Sequence, residues 1–231
     1  MRLKQYITEG IREQDIEKLQ EGMELVYTHC MPYINDLIKG GFNYLRKDDQ
    51  LLYSGRNSDS LIINKKVRTD RKPSDMKVDL HKLYDDLFYK RFKVHARSNA
   101  IFCTGVMMVA AGYGNTVYAI FPVGKYQVIW SDDIYDLYND YSVSNIIKKY
   151  KDLSDEEFLK EMDDKVISSY HKGDVMKAIR SKNEIMLTCK SYIGLKNHRF
   201  NRVARQYIEM NKDKFPEKEF FMEWYNRYIG L

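Results

Sequence analysis

Three places along the chain set a polar side chain at the end of an apolar, strand-like run or at the turn before one: Arg68, Arg97-Ser98 and Glu184. A guanidinium, a hydroxyl and a carboxylate can grip and electrostatically complement a charged small molecule, provided that folding gathers them around one cleft. Taken singly, each has a plainer reading: surface arginines, a turn serine, a glutamate edging a strand. Other chemistries are poorly served. His29, His81, His95, His171 and His198 are scattered with no HxxxH or HxH pair, so no metal site is expected. No GxxxxGK[ST] or GxGxxG run is present. Cys103 has apolar flanks that favour an inert thiol over a nucleophile.

The elements that must position these groups follow from periodicity. Residues 1–50 read as helical, with Ile16, Leu19, Met23 and Val26-Tyr27 at helical spacing, a break or kink at Pro32 and a stop at Gly40-Gly41. Asp49 to Ser60 reads as a polar loop marked by Gly55, Asn57 and Ser58. A strand is predicted from Leu61 to Arg68, ending before Pro73, which cannot donate to a ladder. Ser74 or Asp75 caps the next helix, which carries Val78, Leu80-His81, Tyr84, Leu87-Phe88 and Phe92. A strand at Ala100–Cys103, a short helix from Val106 to Ala111, and strands at Thr116–Phe121 and Tyr126–Trp130 follow.

Residues 132–180 read as helix, with a capping box at Ser154 to Glu157. Ile185–Cys189 is a strand with a polar lead-in, and Tyr192–Leu195 extends it or pairs beside it. The tail is basic from His198 and ends in an amphipathic helix opened by Pro216. Short strands among helices of mixed length make the class α+β. The division expected is an N-terminal helical region, 1–55, followed by one domain, 56–231.

Composition bounds the partners. Lysine and arginine number 38 against 33 acids, a net charge of +5, and the excess is mixed along the chain. That weakly favours an anionic partner and does not indicate a dedicated duplex-binding domain. Nineteen Tyr against ten Phe implies many half-buried rings whose hydroxyls reach water or a partner. Three distant cysteines without a CxxC pair read as thiols in a reducing compartment. With no apolar run of about 18 residues and no apolar secretory leader, the expectation is a cytoplasmic protein with no membrane partner and no metal.

Taken in chain order, the runs Val67-Arg68-Thr69-Asp70-Arg71-Lys72-Pro73, Arg97-Ser98-Asn99-Ala100-Ile101-Phe102-Cys103-Thr104-Gly105, Tyr113-Gly114 and Asn183-Glu184-Ile185-Met186-Leu187 resemble the ADP-ribosyltransferase superfamily in its Arg–Ser–Glu branch. The resemblance covers residues 61–195 and implies a split β-sheet core that binds NAD as substrate. It implies that Arg68, with Thr69 beside it, binds phosphate or ribose oxygens, and that Arg71 competes for that role. Ser98 would position the nicotinamide ribose. Glu184 would hold a ribose hydroxyl and offset the cation that develops as nicotinamide leaves, and Phe102 or Tyr113 would stack on the nicotinamide ring.

One departure concerns the acceptor. Branches that modify arginine carry an acid two residues before the glutamate, where this chain has Lys182, which repels a guanidinium. The resemblance then leaves open a different protein side chain, a nucleic acid, a small molecule, or no transfer at all. The first ten residues also resemble the leader of internal head proteins of large tailed phages, in which a protease cuts after an Ile/Leu-x-Glu tripeptide. Ile7-Thr8-Glu9 fits it, which would remove residues 1–9 from a protein packaged in a virion for action in the host cytoplasm. The competing expectation is a catalytically inactive virion or interaction protein that keeps the fold.

Overall fold

The computed structural model describes residues 13–41, 50–71, 78–150 and 152–196. Among them the chain is α+β, with two four-stranded antiparallel sheets and seven α-helices. The elements are α1 (Glu13–His29), α2 (Met31–Lys39), β1 (Leu52–Arg56), β2 (Ile62–Lys66), α3 (Val78–Phe92), β3 (Ile101–Cys103), α4 (Met107–Ala111), β4 (Thr116–Pro122), β5 (Tyr126–Ser131), α5 (Tyr141–Tyr150), α6 (Asp155–Lys165), β6 (Tyr170–Lys172), α7 (Val175–Ser181), β7 (Ile185–Cys189) and β8 (Ser191–Lys196). The first sheet has the order β1-β4-β8-β2 and the second β3-β7-β5-β6.

Side-chain alternation explains how the second sheet sits. Along β7, Ile185 and Leu187 enter one core while Met186 enters another, and along β5 Val128 and Trp130 oppose Ile129 in the same way. Successive side chains of a strand point to opposite faces, so this sheet is covered on both. The larger core joins it to the first sheet through Tyr118, Ile120, Phe121 and Ile193, and the smaller one packs it under Tyr84, Leu87 and Phe88 of α3. β7 and β8 are separated only by Lys190 yet belong to different sheets, so the chain passes from one sheet to the other directly after the Glu184 strand.

Several sequence expectations are met. The first helix ends before Cys30, Pro32 sits in the opening turn of α2, and the Ser154/Glu157 capping box is made in both directions. β7 follows Glu184 as expected, whereas Tyr192–Leu195 neither extends β7 nor pairs beside it: β8 crosses to the other sheet and pairs with β2 and β4. The caps at Ser74 or Asp75, the basic tail, the last helix and the leader lie outside the described residues.

Three further expectations need correction. The supposed loop at 49–60 contains β1, which pairs with β4 from Leu52 opposite Ile120 to Arg56 opposite Thr116. Within 132–180 the helix is interrupted by turns at 132–140 and by the edge strand β6. The boundary between 55 and 56 runs through β1, and Val26, Tyr33, Ile34 and Leu37 of the first two helices are buried in the larger core. Those helices therefore belong to the same unit as the sheets.

Gly55 misled because glycine commonly marks a turn. Here it lets backbone pass: a Cβ at this position would lie 2.2 Å from the Ala110 carbonyl oxygen and 2.8 Å from the Gly114 nitrogen. Gly55→Ala is therefore expected to lower stability by about 1–3 kcal/mol, because main chain rather than a mobile side chain must give way. Urea denaturation checks this, and an unchanged midpoint would contradict the close approach.

Candidate active site

The two sheets meet at one backbone bridge. Tyr53 of β1 and Thr104, just past β3, exchange both main-chain hydrogen bonds, at 2.9 and 3.0 Å. A cleft of about 310 Å³ opens at this seam, within the range of small-molecule sites. Its walls come from β1, the end of β3, α4 with Tyr113, the 135–139 turn, and Asn183-Glu184. Ser54 Oγ donates to the Phe102 carbonyl at 2.9 Å and fastens the floor.

Glu184 reaches this cleft because its backbone is held on either side. Its N–H donates to the Tyr135 carbonyl at 2.8 Å, and the Asn183 amide donates to the Ser131 and Asp132 carbonyls at 2.9 Å each. Thr104 Oγ1 donates to the Lys182 carbonyl at 3.2 Å, tying the same turn to the seam. The Glu184 carboxylate accepts from Arg97 Nη1 at 2.8 Å, and the two side chains are only 12% and 9% exposed. Burial pushes the Glu184 carboxyl above its ordinary range, and Arg97 opposes that shift.

Three guanidiniums line the cleft: Arg56, Arg71 and Arg97. Those of Arg71 and Arg97 lie 4.0 and 4.4 Å from the centroid of the Phe102 ring, a cation–π arrangement that holds two like charges near each other. Burial and then the positive charges of Arg97 and Arg56 lower the Arg71 pKa to about 10. Arg56 Nε and Nη2 and Arg97 Nε are buried and have no hydrogen-bond partner among the described residues. Buried orphaned donors of this kind are costly, and an anionic ligand is a group that can satisfy them.

The residues singled out from sequence divide clearly. Glu184, Arg71, Phe102 and Tyr113 line the cleft. Arg68 does not: its side chain is 70% exposed and pairs with Asp70 at 3.2 Å, because β2 ends at Lys66 and the chain has left the sheet by residue 68. Thr69 is also exposed and outside the lining. Ser98 is not part of the cleft lining: its Oγ donates to Asp85 at 2.7 Å and lies 3.5 Å from Nε2 of His81, which does line it. Guanidinium, hydroxyl and carboxylate thus do not meet in the combination expected; Arg71 and Arg97 accompany Glu184 instead.

Phe102 is a platform for arginines, since both guanidiniums already lie over its ring. Tyr113 is 59% exposed at the mouth, while its hydroxyl donates to the buried Asp136 at 3.2 Å. Burial of that end, reinforced by Asp136, raises the phenol pKa. Lys182 is exposed and left-handed at φ 67°, at the C-terminal end of α7.

Sequence reasoning missed Arg56, Arg97 as a partner of Glu184, His81 and Asp136. His81 lines the cleft, and burial followed by the nearby Arg97 lowers its pKa, which favours a neutral ring. Only Arg97 carried a signal, as the neighbour of Ser98; Arg56 was hidden with its strand. The thiol of Cys103 is buried and pushed up to about 12, as an inert cysteine requires. No group of three or more His, Cys, Asp or Glu among the described residues is arranged to hold a metal ion, and no helix among them is long and apolar enough to cross a membrane.

No protein-family model, curated protein or solved structure matches this chain.

Proposed function

We propose that the chain is a NAD-dependent ADP-ribosyltransferase, transferring ADP-ribose from NAD to a macromolecular acceptor with release of nicotinamide. The observation that carries this reading is the convergence of a largely buried carboxylate, Glu184, and three guanidiniums, two of them with orphaned donors, on one cleft where two antiparallel sheets part. A split pair of sheets is what the resemblance implies, and the glutamate stands where it implies, directly before a strand.

The chemistry asked of such a site is electrostatic. The bond between the anomeric carbon and nicotinamide breaks, its electron pair leaves with the neutral base, and an acceptor nucleophile bonds to the cationic carbon and sheds its proton. Arg56 and Arg71 supply charge-assisted donors for the pyrophosphate. Glu184, braced by Arg97, accepts from a ribose hydroxyl and offsets the growing positive charge at a fixed position. The exposed Tyr113 ring offers a stacking face that Phe102 does not.

Calorimetry with NAD tests the assignment. Arg56→Met and Arg71→Met are expected to weaken binding about 10- to 100-fold, the worth of a hydrogen bond to a charged group, while Arg68→Met leaves it unchanged. Equal weakening by Arg68→Met would restore the arginine chosen from sequence. Absence of any NAD binding by the wild type would favour an interaction protein instead.

A further inference from the structure

We propose that Asp85, on α3 and outside the cleft, is a positioning residue that aims Arg97 at Glu184. Asp85 is 6% exposed, and its hydrogen bonds all run to one short stretch. Oδ1 accepts the main-chain N–H groups of Arg97 at 2.8 Å and Ser98 at 3.1 Å. Oδ2 accepts Ser98 Oγ at 2.7 Å and lies 3.0 Å from His95 Nδ1. One carboxylate therefore fixes three of the four residues between 95 and 98. From that fixed backbone the Arg97 side chain spans to Glu184 at 2.8 Å and covers the Phe102 ring.

The same clamp reaches the second guanidinium. The Ser98 carbonyl accepts from Arg71 N at 3.4 Å, so the segment of cleft wall carrying Arg71 is registered against the residue that Asp85 holds. The serine singled out from sequence thus has a structural employment: it relays the position of α3 to both arginines. A group held through its own backbone by a buried acceptor has little freedom, and small displacements at a charged site weaken its electrostatics steeply. Asp85 is not in the cleft lining, and its side chain reaches the lining through the Arg97 backbone N–H, which separates positioning from direct participation.

This inference rests on the transferase reading for its activity readout, and its main test does not. In protein carrying ¹³C-labelled glutamate, the Glu184 carboxyl is titrated in the wild type, Asp85→Ala, Asp85→Asn and Asp163→Ala. Charged and titratable groups around that carboxyl are Arg97 and Arg71, Asp136, Tyr113 and Tyr170. Asp163 serves as the structural control, because it pairs with Arg91 at 3.1 Å and Lys90 at 3.6 Å on the same helix and lies away from the cleft.

Asp85→Ala is expected to raise the Glu184 titration by roughly one pH unit or more as Arg97 loses its aim, and to lower kcat about 100-fold or more. Asp85→Asn, which keeps an acceptor for the two N–H groups, recovers most of both. Asp163→Ala moves stability alone. The proposal is overturned if Asp85→Ala leaves the Glu184 titration in place while the fold persists by circular dichroism, or if Asp163→Ala shifts it equally. Should Asp85→Ala not fold, the folded Asp85→Ser variant decides: a raised Glu184 titration there supports positioning, and a wild-type titration curve together with an unaltered Arg97 guanidinium resonance overturns it. A wild type that binds no NAD but shows the Asp85-dependent shift would retire the transferase reading and leave this one standing.

Discussion

Glu184→Gln is expected to reduce NAD cleavage and ADP-ribose transfer by about 10²–10³-fold while leaving NAD affinity within a few-fold, because the lost charge acts chiefly on the cation formed as the glycosidic bond opens. Release of labelled nicotinamide measures this. Glu157→Ala is the matched control: its carboxylate caps α6 against Ser154 and is remote from the cleft, so turnover persists. Retention of wild-type turnover by Glu184→Gln would remove the carboxylate from the mechanism. The pH profile has a defined sense. The proposed mechanism uses the ionised form, and burial holds the carboxyl above its ordinary range, so the acid limb is expected above the pH at which a free glutamate titrates.

Arg97→Met is expected to have the largest effect on stability. Removing one partner of a buried ion pair strands the other, at a cost of about 3–5 kcal/mol. The pH dependence of that loss is the sharper test. Glu184 has a raised folded-state pKa, so the folded protein holds its proton more tightly than the unfolded chain does. The stability this contributes is full below the unfolded carboxyl pKa and is lost as pH rises through the folded one. Without Arg97 the folded pKa climbs further. Arg97→Met should therefore be least stable at neutral pH and regain part of its deficit on acidification. Urea melts across that window check it; a deficit independent of pH would mean that the lost packing on Phe102, not the stranded charge, dominates.

What could be read from the sequence, and what could not, follows from the range of each interaction. β4 and β5 announce themselves through β-branched and aromatic runs, and the Ser154/Glu157 cap is a local pattern three residues wide. Glu184 was legible because a polar lead-in meets an apolar strand. β1 was not, since Leu-Tyr-Ser-Gly-Arg carries a glycine demanded by backbone from α4 and its following turn, more than fifty residues onward. β6 is a three-residue edge strand with two exposed positions and little alternation to detect. The pairing of Arg97 with Glu184 spans 87 residues, and no local rule predicts it. Arg68 and Arg71 are three apart on a segment leaving β2; which of them faces the cleft depends on where that strand releases the chain.

The passage from β7 through Lys190 into β8 sets when a nascent chain can become active. β7 lies between β3 and β5, and β8 lies between β4 and β2, so each sheet stays divided until these two late strands emerge from the ribosome. The carboxylate arrives with the same segment. A polypeptide still short of that point has early strands awaiting partners far downstream, pairing that is slow by its nature, and it has no assembled cleft for any ligand of the cell that is making it.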